Sequence, residues 1–536
     1  MGSRAIASLW KNWVSRTASI VGQLISEARR RCDAWFNLVG VSFFKRKSVS
    51  GLVQELRGHL NFLRLLKREL VSKHSVEQVY ELAHYGHQFL DEGDVDNALP
   101  ILRKCQQIFP ESVEHAEFLC SSVLPALAVT ELQGFGRYDA AQTIFREIKV
   151  RTDAFARARN LPLDNNLYLA NFWTAHIGHL AAVGAFVKRS IMEGNLLEGL
   201  TLVRLPGHHP VNECLYSHWK KYGIEKLVTD LPVSADDLRH IEKKIFIFEY
   251  PNSLPRFYWE AMADVHRDWS ALGLPSLLTL SEAEIADGEK TLSRLGVPRD
   301  AWFVCLHVRA SGFKGRHESL HAPLNADIET YLPMMREITA RGGWVIRMGD
   351  PSMPKLKPMA SVVDYAHSPR KSDRMDVFLS AQCHFYVGTS SGLGFVPPLF
   401  GTPCVFTNWF PVGTRPFQPN DLYIFKLHWS ERENELIPFP ETLSPPLGHI
   451  HSLGTLRNMG FSLKDNTAEE ITEVTLEMYE RVMEGKEGYS ESDNRLQSRF
   501  DAVAKTNRCY GSARLGRAFL RNYADLLPPS DIADAH

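Results

Sequence analysis

The sequence predicts an α/β protein built around doubly wound parallel sheets, with a helical region ahead of them. Between residues 302 and 408, short apolar runs alternate with amphipathic stretches, the pattern of successive βαβ units. Residues 79–112 space their small and apolar side chains as a pair of packed helices does. A chain of 536 residues is also too long for one hydrophobic core, so three or four domains are expected. With 44% apolar and 23% charged residues the composition is that of a globular protein, and a net charge of −1 argues against a nucleic-acid partner.

The charge is unevenly placed. Residues 1–73 hold 14 Lys+Arg and 4 Asp+Glu, a net of +10, which leaves −11 for the rest. Within them Arg29–Arg31 and Lys45–Lys47 flank an apolar stretch containing Trp35, Phe36, Phe43 and Phe44. Asp33 and Asn37 interrupt it, and it falls short of the roughly 20 apolar residues that span a bilayer. It reads as a surface for an anionic membrane or a partner, or as a helix packed on the next domain. No cleavage site of a secretory signal comes after it. The eight cysteines include no CxxC pair, and several sit in apolar runs. They are expected to be buried thiols in a reducing compartment, neither a disulfide framework nor a zinc site.

Gly86, Phe89, Gly93, Ala98, Leu102, Cys105 and Pro110 fall at the spacing of a tetratricopeptide repeat; Leu132, Gly136, Ala141 and Phe145 form a weaker copy. Two repeats are too few for a free solenoid and should dock on a neighbour. Asp94–Asp96, placed between repeat helices, reads as turn chemistry. Strands are expected at 166–173, 197–205 and 242–250, with a helix beginning near Leu180. A helix over 279–297 is marked by Ser281 and Glu284 as a capping box and by Gly296 at its end. The alternating units come next in the chain, and helices are expected over 467–482 and 511–527.

In an open parallel sheet, ligands bind beyond the carboxyl ends of the strands. His307 and Arg309 stand at one such end, Arg347, Gly349 and Asp350 at the next, and Thr389, Ser390, Ser391 and Gly392 at a third. A strand, a small polar loop and a helix would present amides, hydroxyls and a helix dipole to an anion, and Arg309 adds a bidentate grip, so together they suit a diphosphate. One such loop alone would read as a helix cap; the recurrence at three strand ends carries the anion reading. No GxGxxG follows the first strand of either half, which disfavours NAD. In the first half, His176, Gly178 and His179 lie between a strand and a helix, and His208, His209 and Asn212 follow the next strand. A histidine there could act as general base on a hydroxyl, with His179 preferred over His176. No acidic ligand stands at metal spacing, so no metal is expected.

The stretch from about 165 to 525 resembles a bacterial family of proteins assigned as glycosyltransferases. The residues that carry the likeness are "GHL" (178–180), "WFVCLHVR" (302–309), "GGWVIRMGDP" (342–351), "VVDYAHS" (362–368), "MDVFLSAQCHFYVGTSSGL" (375–393), "FGTPCVFTN" (400–408) and "DNTAEEI" (465–471). The "HVR" strand end is also similar to the fucosyltransferase superfamily, where an arginine so placed holds the donor pyrophosphate. The resemblance implies a GT-B architecture, two Rossmann-like halves facing across a cleft. The expected domains are a basic segment (1–75), helical repeats (76–160), an acceptor-side domain (161–275), a nucleotide-sugar domain (276–445) and carboxyl-terminal helices packing back on both (446–536). It implies glycosyl transfer as the reaction class; with Arg309 and loop amides in place of a metal, the expected reaction is a metal-independent, inverting transfer from a nucleotide-sugar, a co-substrate rather than a cofactor, to a glycan, lipid-linked or protein acceptor. Arg309, His307, Arg347, Gly349, Asp350, Tyr365 and Thr389–Gly392 would bind the donor. His179 and His176 would serve the chemistry, with His208, His209 and Asn212 on the acceptor side. Asp421 and Lys426 would close the cleft. The basic and repeat segments lie outside this likeness; their charge and spacing, with the cysteine usage, lead to the expectation of a cytoplasmic enzyme, with the inner membrane face as a peripheral docking place and a protein partner held on the repeats. The alternative is a non-catalytic repeat scaffold with a degenerate nucleotide-sugar fold.

Overall fold

The computed structural model describes residues 76–91, 94–108, 122–161, 167–194, 197, 199–241, 258–311, 322–486 and 488–529. The basic segment 1–73 with its expected surface role, Gly93, Pro110 and the predicted strand 242–250 lie outside the described residues. No helix among the described residues is long and apolar enough to cross a membrane.

Helices Val76–Asp91 and Val95–Ile108 pack as a hairpin. Asp94 starts the second: its carboxylate accepts from the Asn97 amide at 3.2 Å. Helix Leu124–Val129 runs into a single π turn, Thr130–Gly134, and helix Tyr138–Ala158 comes after it. Glu131, fully buried in that turn, takes ion pairs from Arg103 and Arg137 and so ties the hairpin to the start of helix Tyr138–Ala158.

A first parallel sheet consists of β1 (Leu167–Leu169), β2 (Leu200–Arg204) and β3 (Glu225–Leu227), in that order. Helix Ile177–Met192 connects β1 to β2, and helix Glu213–Lys220 connects β2 to β3. The strand expected over 166–173 stops at Leu169 because Ala170 leaves the extended region and Asn171–Thr174 coil into a short helix. β3 has no counterpart in the sequence reading. Its sequence, Glu-Lys-Leu, is charged and largely exposed, so an edge strand here has no apolar signal.

The second sheet is large and parallel. It contains β4 (Phe303–His307), β5 (Trp344–Arg347), β6 (Val362–Val363), β7 (Tyr386–Gly388), β8 (Cys404–Trp409), β9 (Leu422–Phe425) and, much later, β13 (Arg514–Leu515). Their order is β13-β9-β8-β7-β4-β5-β6. Helices Leu332–Ala340 and Asp373–Gln382 cross between strands. A small antiparallel sheet, β10 (Leu427–Ser430) between β11 (Glu435–Leu436) and β12 (Phe461–Lys464), branches off after β9. The expected capping box forms: Ser281 and Glu284 each satisfy the other's amide at the start of helix Glu282–Arg294. The segment expected as a helix over 511–527 instead gives β13 and a short helix, Arg517–Asn522, since it is drawn in to complete the sheet edge.

One continuous apolar core runs from Leu292 to Leu527 and takes in both faces of the large sheet and the carboxyl-terminal helices Ala468–Met483 and Glu491–Thr506. The two sheet systems meet through helix Ile177–Met192. A Cβ on Gly184 of this helix would stand 2.6 Å from Leu399 Cδ2, while Trp219 Nε1 donates to the Leu180 carbonyl at 3.0 Å and holds the helix within the first half.

Candidate active site

From β4 the chain builds outward through β5 to β6, then returns across β4 to place β7 on its other side. The seam between β4 and β7 is therefore the switch point, where an open parallel sheet leaves a crevice at its carboxyl edge. His307 ends β4, and Thr389–Gly392 follow β7 directly.

These residues are knitted together. The Thr389 amide donates to the His307 carbonyl at 3.1 Å, and the Arg309 amide to Thr389 Oγ1 at 3.0 Å. Ser391 Oγ and His307 Nδ1 share a hydrogen bond of 3.0 Å, and Ser390 Oγ accepts from the Phe410 amide at 3.0 Å. All three hydroxyls thus hold the loop rather than face a ligand. The amides of Ser390, Ser391, Gly392 and Leu393 have no protein acceptor among the described residues. Four successive amides at a sheet edge form an anion-seeking concavity. The helix expected after this loop is replaced by two 3₁₀ turns, Gly392–Phe395 and Pro397–Phe400, because Pro397 and Pro398 lack the donors an α-helix needs. The helix dipole expected at this loop is thereby removed.

That dipole comes from the first half. Helix Ile177–Met192 begins against the loop: a Cβ on Gly178 would stand 2.7 Å from Gly392 Cα, and one on Gly392 would stand 2.9 Å from the Gly178 nitrogen. Only glycine at both positions allows this approach. Gly178→Ala should cost about 1–3 kcal/mol, the scale of overpacking. A thermal midpoint equal to wild type would show that the two backbones are not pressed together.

The same helix carries the candidate base. His179 Nδ1 pairs with the Phe172 carbonyl at 3.2 Å, so Nδ1 carries the proton and Nε2 the lone pair. Its ring stacks on Phe172 with centroids 4.2 Å apart. His176 is exposed, edge-on to His179 at 5.2 Å.

His307 is buried and neutral. Burial, then the charges of Arg309, Arg347 and Lys371, lowers it to about 3. Two of these cations are themselves held in ion pairs, Arg347 with Asp364 and Lys371 with Asp376. Burial likewise lowers His428 and His449 to about 4. These neutral histidines add stability above their unfolded value near 6.5, and it is lost as pH falls toward 4. Asp421, raised by burial to about 8, acts oppositely, gaining as pH falls from 8 toward 4. Burial also raises Asp376 and Glu477 and lowers His266 and His384, so these five histidines stand against three carboxyls and the thermal midpoint should drop between pH 7 and 5. A flat or rising midpoint there would contradict it.

Beside the seam, Gly349 holds φ +141°, which other residues rarely adopt, and Asp350 accepts from the Ser352 amide at 2.9 Å while staying partly exposed. Arg309 is partly exposed at the end of β4.

Other predicted residues are committed elsewhere. Arg347 is 1% exposed and gives its guanidinium to Asp364 Oδ1 (2.8 Å) and the Pro354 carbonyl (3.1 Å). Tyr365 is fully buried, its hydroxyl between the Ser372 amide and carbonyl, so its ring cannot stack on a base. Asn212 caps helix Glu213–Lys220 by accepting from Leu215 at 2.8 Å and donates to the Asp373 carbonyl; it joins the halves instead of facing an acceptor. His208 and His209 are exposed on the loop after β2, and His209 lies 3.5 Å from Glu213. Asp421 precedes β9, at the amino edge opposite the crevice, and takes the Cys404 amide at 2.9 Å. Lys426 is buried in bonds to Asp465 and the Asn325 carbonyl. Neither is placed to close a cleft.

One group escaped the sequence reading. Cys214, His218 and Glu284 bring ligand atoms within 4.8 Å of one another, so the expectation of no metal-binding set does not describe this region. Cys214 and His218 are spaced i, i+4 on one helix, a visible signal. Glu284 comes from a distant cap, which no spacing reveals.

No family model and no curated protein matches the chain. Parts of solved structures do. A glycosyl transferase family 9 protein from Veillonella parvula DSM 2008 shares 14% identity over 46% of this chain and 67% of its own, with a TM-score of 0.24. The iron-containing dodecameric glycosyltransferase TibC from enterotoxigenic E. coli H10407 shares 13% over 48%, with a TM-score of 0.29, and the chain spans 62% of its length. E. coli heptosyltransferase WaaC with ADP shares 10% over 48% of this chain and 90% of its own, with a TM-score of 0.26. Likeness this low assigns neither family nor activity to the chain.

Proposed function

We propose that the protein is a nucleotide-sugar-dependent glycosyltransferase with a GT-B arrangement of its two sheet systems. The observation that carries this is the meeting, at the β4–β7 seam, of Arg309, the four amides 390–393 and the start of helix Ile177–Met192. Donors from both halves converge where a diphosphate would sit.

In the proposed reaction an acceptor hydroxyl attacks the anomeric carbon and its proton passes to His179 Nε2. The nucleoside diphosphate leaves with the electrons of the broken glycosidic bond. Arg309 and the amides stabilise the charge that develops on it, the largest contribution expected in such a site. Single displacement by this route inverts the anomeric centre. His307 and Thr389 position the loop, and Asp350 is the candidate to meet the ribose. His176, exposed beside His179, assists at most in orienting it.

A cavity of about 990 Å³ lies between the amino-terminal helices and the carboxyl-terminal segments, bordered by Phe135, Tyr138, Glu260, His449 and Tyr510. Its lining includes neither His179 nor any residue of the β4–β7 seam, so the proposed glycan, lipid-linked or protein acceptor is not assigned to it. The helical repeats and residues 1–73 would bring a partner or an anionic membrane surface, with the enzyme on the cytoplasmic side.

Thermal shift with a panel of nucleoside diphosphates tests the reading. A ligand at 100 times its Kd raises stability by about 2.7 kcal/mol. A response to one nucleotide, with hydrolysis of the matching nucleotide-sugar, is expected. No response to any would favour the scaffold. Chelators should leave turnover of folded enzyme intact; loss restored only by Mg²⁺ would place a metal in the donor site.

A further inference from the structure

Helix Glu213–Lys220 belongs to the first sheet system and helix Glu282–Arg294 leads into the second. Where they meet, Cys214 and His218, one turn apart, face Glu284. His218 is 1% exposed, and its Nε2 is buried without a hydrogen bond. A polar atom left so destabilises the fold unless something satisfies it. Glu284 Oε1 stands 3.4 Å away, without hydrogen-bond geometry. That separation matches the edge of a tetrahedron, about 3.3 Å when ligands lie about 2.0 Å from the ion.

The surroundings are ordered for the purpose. Glu284 Oε2 is fixed by the Ser281 amide (2.8 Å) and hydroxyl (2.7 Å), which orients Oε1. Phe400 packs edge-on against the His218 ring at 5.6 Å and screens it. Lys221 Nζ lies 3.3 Å from His218 Nδ1 and 3.7 Å from Glu284 Oε2. Its charge opposes a cation, but the side chain is 56% exposed and can turn into solvent.

The geometry points to a zinc site formed by Cys214, His218 and Glu284, a staple between the two sheet systems with water as fourth ligand. Thiolate and imidazole select zinc over magnesium or calcium. Lys221 donates to Nδ1 in the ion-free arrangement, which puts the imidazole proton on Nε2; coordination releases the Cys214 thiol proton to solvent and shifts the imidazole proton to Nδ1 as Lys221 turns away. None of these residues lies in the donor cradle, so the zinc site stands or falls independently of glycosyl transfer.

The test uses the full chain, purified without a metal-affinity tag. Zinc is measured after gel filtration, and chelator-stripped protein is titrated with Co²⁺. A stoichiometric ion, the visible bands of tetrahedral cobalt and a near-ultraviolet thiolate band are expected. Cys214→Ser should lose the thiolate band. Glu284→Gln, which keeps a capping box, should weaken zinc by about tenfold or more. Stripping should lower the melting temperature of wild type but not of Cys214→Ser. If Cys214→Ser fails to fold, Glu284→Gln decides alone. Wild type that takes up no cobalt, or a thiolate band that survives Cys214→Ser, overturns the site, as does zinc affinity unchanged in Glu284→Gln.

Discussion

Arg309→Ala should lower turnover by about two orders of magnitude or more, the scale of removing one charge-stabilising donor from a transition state. The Arg309 amide, which holds Thr389, is untouched by the change, so the loop should stay in place. Arg309→Lys should recover only part of the loss, because a planar fork that can grip two oxygens becomes a point charge. Steady-state kinetics on the donor found by screening give the comparison. Turnover of Arg309→Ala within a few-fold of wild type would remove this residue from the mechanism.

His179→Ala is expected to reduce kcat by about 10²–10⁴, the range for a positioned general base, with little change in KM for the donor. His179→Gln is the sharper variant. Its amide can still donate to the Phe172 carbonyl, so the helix start should persist, yet it offers no basic nitrogen. Folded His179→Gln that binds nucleoside diphosphate as wild type does but fails to transfer would assign the proton to this ring. Full activity in either variant would move the base elsewhere, with His176 the next residue to test.

Much of the site was legible because it is local. The polar residues at the ends of β4, β5 and β7 could be read from apolar runs that stop at His307, Arg347 and Gly388. The His176–His179 segment reads as a loop before a helix near Leu180, but the helix begins at Ile177, so only His176 lies outside it and Gly178 and His179 sit in its first turn. What the sequence could not say is which polar groups are already spent. Arg347 looks available for a ligand until Asp364, 17 residues on, is found at 2.8 Å. Tyr365 and Asn212 likewise sit beside polar neighbours in sequence but are used inside the fold.

By itself the sequence determined the alternation of strands and helices in the large parallel sheet, the Ser281–Glu284 capping box and the small polar loop after β7. Each rests on interactions within a few residues: side-chain periodicity, a cap reaching its own first turn, glycine and serine where a strand must turn. Tertiary structure alone decided that β7 returns to lie beside β4, which makes one seam the switch point and sends Asp421 to the opposite edge. It also decided that Gly178 meets Gly392 and that Glu284 faces Cys214 and His218. These are choices among distant partners, settled by how helices and sheets share buried surface, and no short-range pattern in the chain encodes them.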